Sequence, residues 1–160
     1  MLLDKYFDKL KSQDLNIGVY IPNNMKISNE DENGWCKYKL VKSNIDKNKI
    51  SYIENKYGIK LPKDYIEFIS KYDFLDVEID KYRLIGVNTN YTLDNLFDLF
   101  PIKIIKDGYI PLGVIDDLNY IALNVNTGEV VELSYIDYKI IKKISDSLEK
   151  FLSTLESKID

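Results

Sequence analysis

The stretch from Tyr109 to Tyr135 constrains the fold more than any other part of the chain. It holds three apolar runs, Tyr109 to Ile115, Asn119 to Val125 and Glu129 to Tyr135, separated by the links Asp116-Asp117-Leu118 and Asn126-Thr127-Gly128. Links that short join neighbouring antiparallel strands, whereas a parallel pair needs a crossover of a dozen or more residues. A meander is therefore the simplest topology here. Upstream, Leu75, Val77 and Ile79 alternate with Asp76, Glu78 and Asp80, and Tyr82, Leu84 and Gly86 continue the period of two after a turn. This pattern adds strands with one wet, acidic face.

Helical periodicity flanks the strands. Leu2, Leu3, Tyr6, Phe7 and Leu10 recur at helical spacing near the start, and Leu148, Phe151, Leu152 and Leu155 do so in a closing helix expected to begin near Ser145. Leu15, Ile17, Val19 and Ile21 read as a strand closed by Pro22-Asn23-Asn24, and Cys36, Tyr38 and Leu40 as another. Ser43-Asn44-Ile45-Asp46 offers N-cap chemistry for a helix bearing Ile50, Ile53 and Tyr57, with Gly58 as its left-handed stop. Pro62 suits the first turn of the next helix, whose apolar stripe is Tyr65, Ile66, Ile69 and Tyr72. Thr92 or Asp94 is expected to cap a short helix carrying Leu93, Leu96, Phe97 and Phe100 and ended by Pro101.

The order of these elements describes an α+β fold: an antiparallel or mixed sheet of about six strands, with helices packed mainly on one face. At 160 residues the chain suits one globular unit. The polar, acidic stretch Ser28 to Gly34 separates an N-terminal extension, 1–34, from a main domain, 35–160.

Composition removes whole classes of chemistry. The chain has no histidine, which excludes Ser-His and Cys-His catalysis and His-ligated metals. Its one cysteine, Cys36, cannot form an internal disulfide, and this usage fits a reducing, cytoplasmic setting. The seven glycines form no phosphate-binding cluster, so no cofactor is expected. The N-terminus lacks the uninterrupted apolar stretch of a signal peptide or membrane span, and no membrane partner is expected. Arg83 is the sole arginine and the net charge is -4, which argues against direct nucleic-acid binding. From Asp73 to Asp137, twelve carboxylates face four cations, a net of -8 that leaves the rest of the chain at +4.

Four features invite a functional reading. Asp116-Asp117 resembles a calcium ligand pair, but the EF-hand spacing is missing and an acidic hairpin turn explains it. Cys36 reads as a small core residue on a strand, there being no sign of the cationic setting that activates a thiol. Trp35 either anchors the extension in the core, the commoner fate of a large aromatic, or inserts into a partner. The acidic run Asp73, Asp76, Glu78 and Asp80 is either a solvated strand face that resists aggregation or a patch for a basic partner. Paired carboxylates meeting in a deep cleft would leave room for glycosidase-like catalysis.

The residues Ile45 to Glu54, then Tyr57-Gly58-Ile59-Lys60-Leu61-Pro62-Lys63-Asp64-Tyr65-Ile66-Glu67-Phe68-Ile69, resemble the opening of the SUKH superfamily. There, a helix ending in Gly leads to Leu-Pro, a short gap, then Tyr and a Phe-containing helix. Trp35 stands where many bacterial members carry a Trp, and Tyr109-Ile110-Pro111-Leu112-Gly113, the hairpin through Gly128-Glu129-Val130 and Ile144 to Leu152 follow in the family's order. The resemblance runs from Trp35 to Leu155. It departs from the pattern at Lys71-Tyr72-Asp73-Phe74, where relatives have a glycine turn, and around Asp116-Asp117-Leu118-Asn119.

The resemblance implies no catalytic residues. It implies a protein-binding domain related to fungal cell-wall-synthesis regulators and to bacterial immunity proteins, with a cognate toxin, often a nuclease, as partner. A basic nuclease cleft would meet an acidic inhibitor surface, and Asp73, Asp76, Glu78, Asp80, Asp116 and Asp117 are the candidate contacts. A regulatory or scaffolding module is the alternative. Oligomeric state is left open.

Overall fold

A computed structural model of the chain describes residues 2–17, 21–86 and 97–159. At its centre is a six-stranded sheet built from β5 (Val77–Ile79), β6 (Tyr82–Leu84), β7 (Tyr109–Ile115), β8 (Asn119–Asn124), β9 (Val130–Leu133) and β10 (Ile140–Ser145). Each strand pairs antiparallel with the next in sequence, so the sheet is a meander with β5 and β10 at its edges. Four of the five connections are too short for a crossover, whereas the β6–β7 connection, 85–108, is long enough for one and the observed pairing alone makes it antiparallel. The register pairs Tyr82 with Ile115, Ile115 with Asn119, and Leu123 with Val130.

Cross-strand partners share a face, so this register sorts the side chains. Val77, Ile79, Tyr82, Leu84, Ile115, Ile121, Leu123 and Val130 form one face and join the main core. Against it pack α1 (Leu2–Lys11), α2 (Lys47–Tyr57), α3 (Lys63–Lys71) and α5 (Leu148–Ser157), which contribute Phe7, Ile53, Phe68 and Phe151 among others. Ala122, Val131 and Leu133 lie on the opposite face and pack with Ile104 of the short helix α4 (Ile102–Lys106). Helices thus cover mainly one face. Burying each large aliphatic or aromatic side chain stabilises by about 1.5–3 kcal/mol.

Two small sheets complete the fold. In one, β1 (Leu15–Ile17) pairs with β2 (Cys36–Tyr38), and in the other, β3 (Val41–Lys42) pairs with β4 (Tyr72–Asp73). The extension therefore pairs across the expected boundary at residue 34, and α1 places Leu3, Tyr6, Phe7 and Leu10 in the main core.

The helix ends follow local chemistry. Asp46 caps α2 by accepting from the Lys49 N–H at 2.9 Å. Gly58 ends it with φ 63°, donating its N–H to the Glu54 carbonyl. The Glu54 carboxylate then accepts from the Leu61 N–H at 2.8 Å, which fixes the corner before Pro62. Pro62 is the N-cap of α3 rather than a first-turn residue.

Several boundaries differ from expectation. Tyr72 leaves α3 for β4, because pairing with Lys42 satisfies its backbone. Ser145 ends β10, and the closing helix starts at Leu148 with Ser147 accepting from the Lys150 N–H. β10 itself was not anticipated, since its largely exposed residues carry no clear alternation. A helical segment at 97–98 ends before Pro101, as expected, and Pro101 is also the N-cap of α4. The first part of that helix, expected from Thr92 or Asp94 through Leu96, lies outside the described residues, as does Val19. Cys36 is a buried strand residue, whereas Trp35 is 50% exposed and is not core.

Candidate functional site

In a meander every second connection lies at the same end of the sheet. The β5–β6 turn at Asp80-Lys81, the β7–β8 turn at Asp116-Asp117-Leu118 and the β9–β10 loop from Tyr135 to Tyr138 therefore share one end. The first two are tied directly, since the Asp116 N–H donates to the Lys81 carbonyl at 2.9 Å. Asp80, Asp116 and Asp117 all have left-handed backbone, with φ 55°, 53° and 54°. Asp tolerates that conformation better than most residues with a Cβ, which gives these aspartates a backbone role alongside their charge.

Five of the six expected contact residues converge on this end and on the adjoining strands. Glu78 faces Arg83 across the β5–β6 pair. The Arg83 Nε lies 3.6 Å from the Asp76 carboxylate, and its Nη1 lies 3.6 Å from that of Asp117. The chain's only arginine thus sits between two of the candidate carboxylates. Asp80 pairs with Lys158 at 3.4 Å. Glu78 and Asp116 carry no ion pair among the described residues. Burial holds the Asp76 carboxyl above its ordinary range, partly offset by Arg83.

Asp73 is the exception and a correction. It is 0% exposed, paired with Val41 in the β3–β4 ladder, and so has no surface for a partner. The acidic alternation starts in β5, and the preceding residues belong to a different sheet. The run from Asp73 to Asp80 is thus not one continuous wet face.

The charge tally also changes once the chain is folded. Around the five remaining carboxylates stand Lys81, Arg83 and Lys158, the last brought in from the C-terminal end. Glu132 is almost buried, accepting from the Asn119 side-chain amide at 2.8 Å and facing Lys142 at 4.0 Å. The surface is acidic, but far less so than the -8 of the linear segment.

Beside the acidic turns lies an apolar corner that the sequence reading passed over. Leu118, Tyr135, Ile136, Ile140 and Ile141 are exposed. Tyr120 pairs with Leu133 and Leu133 with Ile140, and the Tyr135 N–H donates to the Asn119 side chain at 3.2 Å, which brings Leu118, Tyr135 and Ile140 to the same end of the sheet. The available signal was Ile136, an isoleucine in a polar turn between Ser134 and Asp137.

Among the described residues no group of three or more His, Cys, Asp or Glu side chains could hold a metal ion, and no helix is long and apolar enough to cross a membrane. A cleft of about 230 Å³ beside β5 is lined in part by Asp14, Glu78, Asp80 and Lys158. Its Asp80 is already paired with Lys158.

Residues 44–154 match the SMI1 / KNR4 family (SUKH-1). The matched span begins just before α2 and includes the whole six-stranded sheet, while Trp35 lies outside it. No curated protein matches the chain.

Proposed function

The chain belongs to the SMI1 / KNR4 family (SUKH-1), and from that premise we propose that it is a non-catalytic protein-binding domain, an immunity protein that neutralises a cognate bacterial toxin. It acts in the cytoplasm of the producing cell, binding a basic, nuclease-type toxin domain and occluding its active site or substrate path. No cofactor is needed. The observation that carries this reading is the acidic turn end of the sheet, where Asp76, Glu78, Asp80, Asp116 and Asp117 converge.

A nuclease that grips phosphates has a basic cleft, and a complementary acidic surface raises the association rate and rejects wrong partners. The absence of histidine and of a glycine-rich phosphate loop supports a role without catalysis. The Asp76–Arg83–Asp117 arrangement supports it from another side, because it spends carboxylates on ion pairs rather than leaving them as an acid–base pair.

The test is co-expression with the product of the neighbouring gene. Rescue of growth and co-purification of the two chains are expected. If the wild-type protein neither rescues nor co-purifies, the immunity reading fails. Binding to cellular proteins, with no toxin-like reading frame beside the gene, would identify a regulatory module instead.

A further inference from the structure

We propose that the apolar corner formed by Leu118, Tyr135, Ile136, Ile140 and Ile141 is the anchor of the interface, and that its occupant is a protein surface offering an apolar pocket rimmed by lysine and arginine. The inference rests on the protein-binding reading above and adds where the binding energy resides, which the acidic turns alone do not supply.

The first argument is concentration. Ten large hydrophobic residues are exposed among the described residues, and five of them gather at this corner. The others are dispersed: Ile27 and Trp35 in the N-terminal region, Tyr52 on α2, and Leu99 and Ile102 around α4. Scattered exposed hydrophobics need no explanation, but a contiguous group marks a contact surface.

The second argument is preorganisation. Ser134 and Lys139 close the loop by a backbone bond of 2.9 Å, and the Tyr138 N–H returns to the Ser134 carbonyl at 2.9 Å. The Ile136 N–H donates to the Ser134 hydroxyl at 3.2 Å, and the Tyr135 N–H donates to the Asn119 side chain at 3.2 Å. Ile136 is thereby displayed, 74% exposed, at the tip of a pinned loop. A pinned loop loses little freedom on binding, so more of the contact energy appears as affinity.

The third argument identifies the occupant. Interfaces place apolar residues at the centre and charge at the rim. Here the rim is Asp116 and Asp117 on one side and Asp137 beside Lys139 within the loop; neither Asp116 nor Asp137 has an ion pair among the described residues, whereas Lys142 and Lys143 along β10 are engaged by Glu132 and Asp146. The matching surface carries cations around an apolar pocket. A second copy of this chain is a poor match. Antiparallel pairing of two β10 edges centred on Lys142 and Lys143 would set each of these lysines opposite the other's copy, and two register shifts break the regular edge that strand addition needs.

The experiment measures binding of the full chain to the neighbouring gene product by surface plasmon resonance, with sedimentation velocity on this chain alone. Ile136→Ser, Tyr135→Ala and Leu118→Ser are each expected to weaken binding by at least about tenfold, mainly through faster dissociation. Ile27→Ser, an exposed apolar control, should stay within about twofold. Asp116→Asn, which keeps a residue that tolerates left-handed backbone, and Asp137→Asn should slow association and reduce its salt dependence. Amide exchange of the wild-type complex should show protection at 116–118 and 134–141, a readout that does not depend on any variant folding. If wild type binds but the corner variants stay within twofold and these segments gain no protection, the corner is overturned while the protein-binding reading stands. If wild type fails to bind, that reading falls and this one with it. A dimer of this chain that Ile136→Ser dissolves would overturn the assignment of the occupant.

Discussion

Three buried tyrosines offer a test in which one substitution has opposite signs at different positions. Tyr6, Tyr38 and Tyr65 are 0%, 2% and 1% exposed, and burial pushes the ionisation of all three phenols upward, so each hydroxyl is neutral. The Tyr38 hydroxyl donates to the Asp76 backbone carbonyl at 3.0 Å. Those of Tyr6 and Tyr65 meet no hydrogen-bond partner among the described residues.

A hydroxyl buried without a partner costs about 1–3 kcal/mol. Removing its oxygen forfeits a few contacts of about 0.1–0.2 kcal/mol each. Tyr6→Phe and Tyr65→Phe should therefore each stabilise the fold by about 1 kcal/mol. Tyr38→Phe instead breaks a bond and strands a carbonyl, and should destabilise by about 1–2 kcal/mol. For a chain of this size, each kcal/mol moves Tm by about 2–4 °C. Urea titrations followed by far-UV circular dichroism should show the midpoints moving in opposite directions at unchanged slope. Tyr6 and Tyr65 both approach Phe68, with ring centroids 6.4 and 6.5 Å away, so their double variant need not be additive. The reasoning is refuted if Tyr65→Phe and Tyr38→Phe both destabilise by more than about 1 kcal/mol.

Other expected outcomes follow from particular contacts. At Gly113 an added Cβ would stand 2.0 Å from the Arg83 carbonyl oxygen and 3.0 Å from the Leu84 Cα, so Gly113→Ala must force β6 and β7 apart. It should cost about 3 kcal/mol or more by thermal denaturation, at or above the top of the usual overpacking range. Asp46→Ala removes the cap of α2 and should cost about 1 kcal/mol in the same assay. Hydrogen bonds and charge from Lys143 and Lys150 hold the Asp146 carboxyl below its ordinary value of 3.8. Its stabilisation is present above that value and disappears as pH falls through the depressed folded-state pKa, so the urea-midpoint gap between wild type and Asp146→Asn should close on acidification.

The meander, the Asp46 and Gly58 helix ends and the apolar stripes of α1 and α5 were legible because each depends on neighbours within a few residues. Three-residue links admit one pairing geometry, and αL at Gly58 is a local preference. Tyr72 was not legible, because β pairing with the distant Lys42 overrode what its own sequence favoured, and β10 was not, because its largely exposed residues carry no clear alternation. At the site, the sequence located five carboxylates that the fold brings near one another but misplaced Asp73. Alternation predicts which side a residue takes only within one strand, and Asp73 belongs to another sheet.

The sequence by itself determined the fold class and the chemistry that is missing, since the absence of histidine and of a glycine-rich phosphate loop is a property of composition. Only the tertiary structure decided what the surface presents. It set Arg83 between Asp76 and Asp117, brought Lys158 to Asp80, buried Asp73 and brought Leu118 and Tyr135 to one end of the sheet. Charge and exposure belong to surfaces, and surfaces are assembled from residues far apart in the chain.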